Sequence, residues 1–343
     1  MVLPPRPTWS PPFEALSADR TTWRRRAVRD GLIISGWLAT GFALVVVTSI
    51  VHSVGYDAYS YWSIDLSDLY GRSVSSNFGA GAFRYAPPIA FLFGAFGALP
   101  WWLFLWLWGA LMMALIAWLG GRWALVLLAL PPIALELYHG NVHLLIAAAI
   151  VLGMRYPGTW SFVLLTKITP GVGLLWFAVR REWRSLAIAL GATLVVSAAA
   201  FLVAPHQWRD WLDSITSNLN EPQSYSVPPP ALIRLPIAAL IVVWGARTDR
   251  PWTVAVAATV GLPILWPHGL TVLAAAIPFL RRGDRAALQP DWRDVVQPRR
   301  LLMYVVVCLG AALVVAVLLA GPLSQLMASI SSNFYRPYLP QSP

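Results

Sequence analysis

Three observations predict an all-α fold, a polytopic transmembrane bundle of roughly 10–11 helices joined by ordered external loops. Apolar residues make up 58% of the 343-residue chain. Charged residues are only 12%, about half of the roughly 25% typical of a soluble domain. The apolar residues are gathered into successive runs near the length of a bilayer crossing, and Arg clusters lie between them.

The formal net charge of +10 raises the question of a nucleic-acid partner. All 25 basic residues except Lys167 are Arg, in short clusters that read as topology signals, so no nucleic acid is expected. The single cysteine, Cys308, rules out an internal disulfide or a Cys-rich metal centre.

Residues 1–30 read as a cytoplasmic N-terminal segment, polar and Pro-rich, without a cleavable-signal pattern. Residues 31–320 form the transmembrane domain, and 321–343 an external tail. Gly31–His52 is the first span, oriented by Arg24, Arg25, Arg26 and Arg29 on its cytoplasmic side. An external loop follows at about residues 53–85, with short interfacial helices expected among its aromatics. Further runs lie at Pro87–Leu99, Trp101–Gly120, Trp123–Leu137, Val142–Gly153, Trp160–Val179 and Trp183–Val203. Several are too short to cross alone, and broken helices must shelter their free backbone groups against protein or a wet cavity. Arg122 and Arg155 do not both fit a simple alternation without a re-entrant segment. A second external loop is expected at about residues 204–230, polar and ending in prolines. Ala231–Ala246, Trp252–Trp266, Gly269–Leu280 and Leu301–Ala320 complete the spans, with Arg247, Arg250, Arg281, Arg282 and Arg285 on cytoplasmic turns. His268 then falls at the outer surface.

The residues able to do chemistry are few. Lys167 lies in the apolar stretch Phe162–Pro170, where an ammonium needs a partner. A snorkelling or ion-paired lysine, with Glu136 as partner, is one reading; a site for an anionic group such as phosphate, aided by the Pro170 break, is the other. Asp57 follows the first span among rings, including Tyr61, that suit packing against a sugar; it reads either as a general base or as a helix-capping aspartate. Asp65 and Asp68 read as caps. His139, Asn141 and His143 stand between apolar runs, and His268 follows Pro267. No further Cys or acidic cluster is evident near these histidines, so no metal and no cofactor are expected, and donors to phosphate or sugar hydroxyls are favoured. Arg84 is a further phosphate contact candidate.

The order Asp57, Phe83-Arg-Tyr-Ala-Pro-Pro88, Gly140-Asn141, Lys167-Ile-Thr-Pro170, Trp183-Arg184 and Pro267-His268 resembles the GT-C superfamily of glycosyltransferases. More narrowly it resembles the polyprenol-phosphate-mannose-dependent α-mannosyltransferases that act on phosphatidylinositol mannosides, and related arabinofuranosyltransferases. The resemblance implies an inverting, metal-independent transfer of a sugar, mannose first, from a polyprenyl-phosphate-sugar donor to a lipid or glycolipid acceptor. It places the site on the external face of the plasma membrane, among membrane lipids. By the same resemblance Asp57 is the general base, and Lys167 and His268 lie near the donor phosphate. Pro267-His268 departs from the Ser-Trp-x-His run common in that group. An arabinose donor, or a transporter or flippase for a lipid-linked substrate, remains the alternative.

Overall fold

The structure is a computed structural model and describes residues 28, 31–46, 54–71, 81–219 and 231–280. Among these residues every regular element is a helix. The expected last span at Leu301–Ala320, the external tail, and the Arg clusters at 24–29 and 281–285 lie outside the described residues.

In chain order the helices are α1 (Gly31–Val46), α2 (Tyr56–Trp62), α3 (Pro87–Gly94), α4 (Trp101–Gly120), α5 (Ala124–Leu128), α6 (Pro131–His139) and α7 (His143–Gly153). They continue with α8 (Trp160–Thr166), α9 (Leu175–Val179), α10 (Trp183–Val203), α11 (Pro205–Leu219), α12 (Ala231–Arg247), α13 (Trp252–Val260) and α14 (Ala276–Leu280). Runs of 3-10 turns precede α9 and α14, at Thr169–Leu174 and Pro267–Ala275.

Two of these, α4 and α10, are long and apolar enough to cross a membrane on their own, and α6 with α7 would make a third span if counted together. The remaining apolar runs are shorter or broken, and the breaks have identifiable causes. Proline opens α3, α6 and the 3-10 runs at Thr169 and Pro267. At a helix start its missing N–H is one that would have no intrahelical partner anyway, so the break leaves no extra orphan donor in an apolar medium. The run Trp123–Leu137 is thereby split before Pro131, and Trp160–Val179 is interrupted at Lys167, whose backbone is extended (φ −141°, ψ 107°).

The sharpest feature is the turn between α6 and α7, which bends the chain by 110°. This bent pair lies between Arg122 and Arg155, the stretch where the sequence points to a re-entrant segment. Gly140 ends α6 in the left-handed region (φ 68°), with its N–H bonded to the Glu136 carbonyl at 2.8 Å. Two more bonds fasten the turn: Trp108 Nε1 donates to the Gly140 carbonyl at 2.8 Å, and the Gly55 N–H to the Tyr138 carbonyl at 2.7 Å. Helix α2 is thus docked directly on the bend. The 3-10 run Pro267–Ala275 packs against both arms of it.

Residues 205–219 of the expected external loop are a helix rather than a loop. Ala204, Gln207, Trp208, Trp211 and Ser214 face inward, while His206, Arg209, Asp210 and Asp213 face outward. This spacing is that of an amphipathic surface helix. Gln207 Nε2 donates to the Leu66 carbonyl at 2.9 Å and Trp211 Nε1 to the Arg84 carbonyl at 3.3 Å, so the helix is bonded to the segment that follows α2. Its polar outer face accounts for the loop-like composition of the sequence there.

A Cβ at Gly140 would sit 2.7 Å from the Ala58 Cβ, in a backbone conformation that L side chains rarely adopt. Gly140→Ala is therefore expected to destabilise the protein by about 2 kcal/mol or more. Thermal unfolding in detergent checks this, with a lowered midpoint expected and an unchanged one counting against the tight turn.

Candidate active site

Helix α2 begins at Tyr56 directly after Gly55, which adopts φ 82° and turns the chain into the helix. Asp57 stands in its first turn with its side chain 26% exposed, so the carboxylate is neither solvated freely nor sealed in the core. Asn141, on the bend, donates from Nδ2 to Asp57 Oδ2 at 2.8 Å. The amide orientation is fixed independently, because Asn141 Oδ1 accepts the Val142 N–H at 2.7 Å. One side chain thus closes the turn and holds the carboxylate.

His268 approaches the same carboxylate oxygen, with Nε2 3.8 Å from Asp57 Oδ2. This nitrogen is buried and has no hydrogen-bond partner among the described residues. The His268 ring is 5.1 Å from that of His139 and 5.3 Å from that of His143, and it stacks on Trp266 with the planes 7° apart. Three histidines from two distant stretches of sequence therefore converge beside Asp57.

Behind them runs a chain of polar groups in an otherwise apolar interior. Glu136 and His143 are both fully buried. Glu136 Oε1 accepts the backbone N–H of His143 at 2.7 Å and of Leu144 at 3.3 Å, satisfying two donors at the start of α7. A carboxylate there also meets the positive end of the helix dipole. Glu136 Oε2 lies 2.9 Å from His143 Nδ1, and His143 Nε2 lies 2.6 Å from Lys167 Nζ. The carboxylate accepts, so Nδ1 carries the proton and Nε2 accepts from the ammonium. The expected pairing of Lys167 with Glu136 is thus relayed through an imidazole.

Lys167 is partly buried at the interruption after α8. Arg84 is drawn to the same place because the Ala86 N–H donates to the Leu165 carbonyl at 3.0 Å. The Arg84 guanidinium and the Asp57 carboxylate are both close enough to act electrostatically on the Lys167 ammonium. The structure accordingly brings Asp57, Asn141, Lys167, His268, Arg84 and His139 into one neighbourhood.

Tyr61 requires a correction. It is 2% exposed, its hydroxyl is 3.0 Å from that of Tyr85, and its ring packs on Tyr85, Phe93 and Trp108. Burial pushes its phenol well above the ordinary range, so it stays protonated within the core. A ring enclosed on all sides has no face for a sugar.

No acidic cluster is expected near the histidines from the sequence, and the structure brings one acid, Glu136, to them. Glu136, His143 and His268 offer ligand atoms that all lie within 4.8 Å of one another, a donor set of the kind zinc uses. Both ring nitrogens of His143 are already engaged, one by Glu136 and one by the Lys167 ammonium. A cation would have to displace that ammonium and would meet its charge, so the fit to a metal is poor. The sequence did carry a signal for Glu136: it is the one acidic residue between Asp68 and Glu182, and it stands seven positions before His143.

The model of glycosyltransferase family 87 matches residues 83–289, more than half of the chain. The chain belongs to glycosyltransferase family 87. With its apolar helices, this makes the family 87 chain a membrane glycosyltransferase. The matched stretch holds Arg84, Glu136, Asn141, His143, Lys167 and His268, whereas Asp57 precedes it and reaches the others through the contact of α2 with the bend. No curated protein and no solved structure matches this family 87 chain.

Tyr61 variants separate core packing from substrate contact. Tyr61→Phe keeps the ring and is expected to cost about 1 kcal/mol with sugar transfer within a few-fold of the unmodified protein. Tyr61→Ala is expected to cost roughly 3–5 kcal/mol. Transfer assays alongside thermal unfolding check both, and a large activity loss in a stable Tyr61→Phe protein would return the residue to the substrate site.

Proposed function

We propose that this glycosyltransferase moves a sugar, mannose in our reading, from a polyprenyl-phosphate donor to a lipid or glycolipid acceptor, with inversion at the anomeric carbon. The reaction takes place on the external face of the plasma membrane, with the segments at about 53–85 and 204–230 on that side. The observation that carries this reading is Asp57, oriented by Asn141 at 2.8 Å, 3.8 Å from the His268 imidazole and in the same electrostatic neighbourhood as the Lys167 ammonium.

In this mechanism Asp57 takes the proton of the acceptor hydroxyl as its oxygen attacks the anomeric carbon. The bond from that carbon to the phosphate oxygen breaks on the opposite face, and its electron pair stays with the phosphate. Lys167 and Arg84 stabilise the charge that gathers there, an effect largest where water is scarce. His268 lies close enough to the base to receive a phosphate oxygen or an acceptor hydroxyl at its unpartnered Nε2. Membership in a glycosyltransferase family favours this chemistry over passage of a lipid-linked substrate by a transporter. The order of motifs supports a mannose donor first and an arabinofuranose donor second.

Purified protein incubated with radiolabelled polyprenyl-phosphate-mannose, and separately with the arabinose donor, tests the donor class. Labelled lipid product of opposite anomeric configuration is expected from the former; no transfer from either donor overturns the reading. Asp57→Asn is expected to lower transfer by about 10²–10⁴-fold with thermal stability retained. A folded Asp57→Asn protein of full activity would remove Asp57 from the mechanism. Asn141→Ala should lose roughly 10-fold in kcat by releasing the base from its orientation.

A further inference from the structure

We propose that Glu136 and His143 are positioning residues that hold the Lys167 ammonium toward the donor phosphate and away from Asp57, an inference that rests on the reading of Lys167 as a phosphate contact. Neither residue can touch substrate, since both side chains are fully buried. They act through their bonds: carboxylate to Nδ1 at 2.9 Å, and Nε2 to Nζ at 2.6 Å.

The need for such a hold follows from Lys167 itself. Its four-carbon stem is flexible, and an ammonium is a point charge without the fixed geometry of a guanidinium. It sits close enough to Asp57 to feel its charge. A direct ion pair between the two would engage both groups and take them out of the reaction. The imidazole offers a competing acceptor at 2.6 Å. The buried carboxylate behind it supplies the counter-charge and dictates which ring nitrogen carries the proton, a second-layer arrangement familiar from carboxylate–histidine pairs that orient metal ligands. Here the oriented cation is an ammonium.

The geometry provides a substitution that separates holding from folding. In Glu136→Gln the side-chain oxygen can still accept the N–H groups of His143 and Leu144 at the start of α7. The amide nitrogen then faces His143 Nδ1 and donates to it. The imidazole proton must move to Nε2, which presents a donor to the ammonium and expels it. A merely structural Glu136 would be indifferent to that reversal.

The experiment measures binding of a short-chain polyprenyl monophosphate, without turnover, to purified full-length protein in detergent. It compares the unmodified protein, Lys167→Met, Glu136→Gln and the double variant. At least a ten-fold rise in Kd is expected for Lys167→Met and for Glu136→Gln, with no further rise in the double variant, because the glutamate acts only through the lysine. The transfer reaction should show a higher donor KM in Glu136→Gln with the acceptor KM unchanged. Loss of affinity in Lys167→Met with full affinity in a folded Glu136→Gln overturns this inference alone. Full affinity in Lys167→Met overturns the phosphate role of Lys167 and this inference with it. If Glu136→Gln does not fold, His143→Phe carries the same comparison, since it keeps a ring in place and removes the acceptor for the ammonium.

Discussion

The carboxylate of Glu136 at the α6–α7 bend is the interaction on which the rest of the site depends. It accepts two backbone donors at the start of α7 and the ring N–H of His143, so one side chain fixes both a change of chain direction and the orientation of an imidazole. In an apolar interior those backbone donors have no water to fall back on, and a helix start left unsatisfied there is costly. The 110° turn exists because its free amides have an internal acceptor. Once the turn exists, Asn141 meets Asp57, His143 meets Lys167, and the Pro267–Ala275 run can lay His268 against both.

The architecture concentrates irregular backbone where chemistry is expected and regular helix elsewhere. Helices α4 and α10 are long and apolar, and many side chains of α10 project outward from the described fold, as lipid-facing residues do. Several short helices and 3-10 runs, with the left-handed Gly55 and Gly140, lie around Asp57 and Lys167 instead. Broken helices at membrane depth survive only where their groups are met by protein. Trp108 to Gly140 and Gly55 to Tyr138 are such meetings.

Much of this was legible in the sequence, and the parts that were not share a cause. Composition and apolar runs sufficed for the helical membrane class, and the run from Pro87 opens a helix there, whereas the run Trp123–Leu137 is split before Pro131. The gathering of Asp57, Asn141, Lys167 and His268 matched the order of motifs rather than any local spacing. Glu136 was legible only as a partner for Lys167, because its true neighbour, His143, comes within reach across a bend that periodicity does not reveal. Tyr61 looked like a sugar platform from its neighbours in sequence; the rings of Tyr85, Phe93 and Trp108 that enclose it come from elsewhere. Residues 205–219 looked like a loop because overall polarity outweighed the apolar stripe of Trp208 and Trp211.

The chain of carboxylate, neutral imidazole and ammonium is electrically balanced as a unit, and each member is accommodated in the interior only because the other two are present. Drift at position 136, 143 or 167 alone leaves an uncancelled charge or an idle donor in a medium that solvates neither. The three positions therefore stand or fall together energetically. Removing the lysine strands the charge of the buried glutamate, whose carboxylate also holds the bend that brings Asn141 to the base.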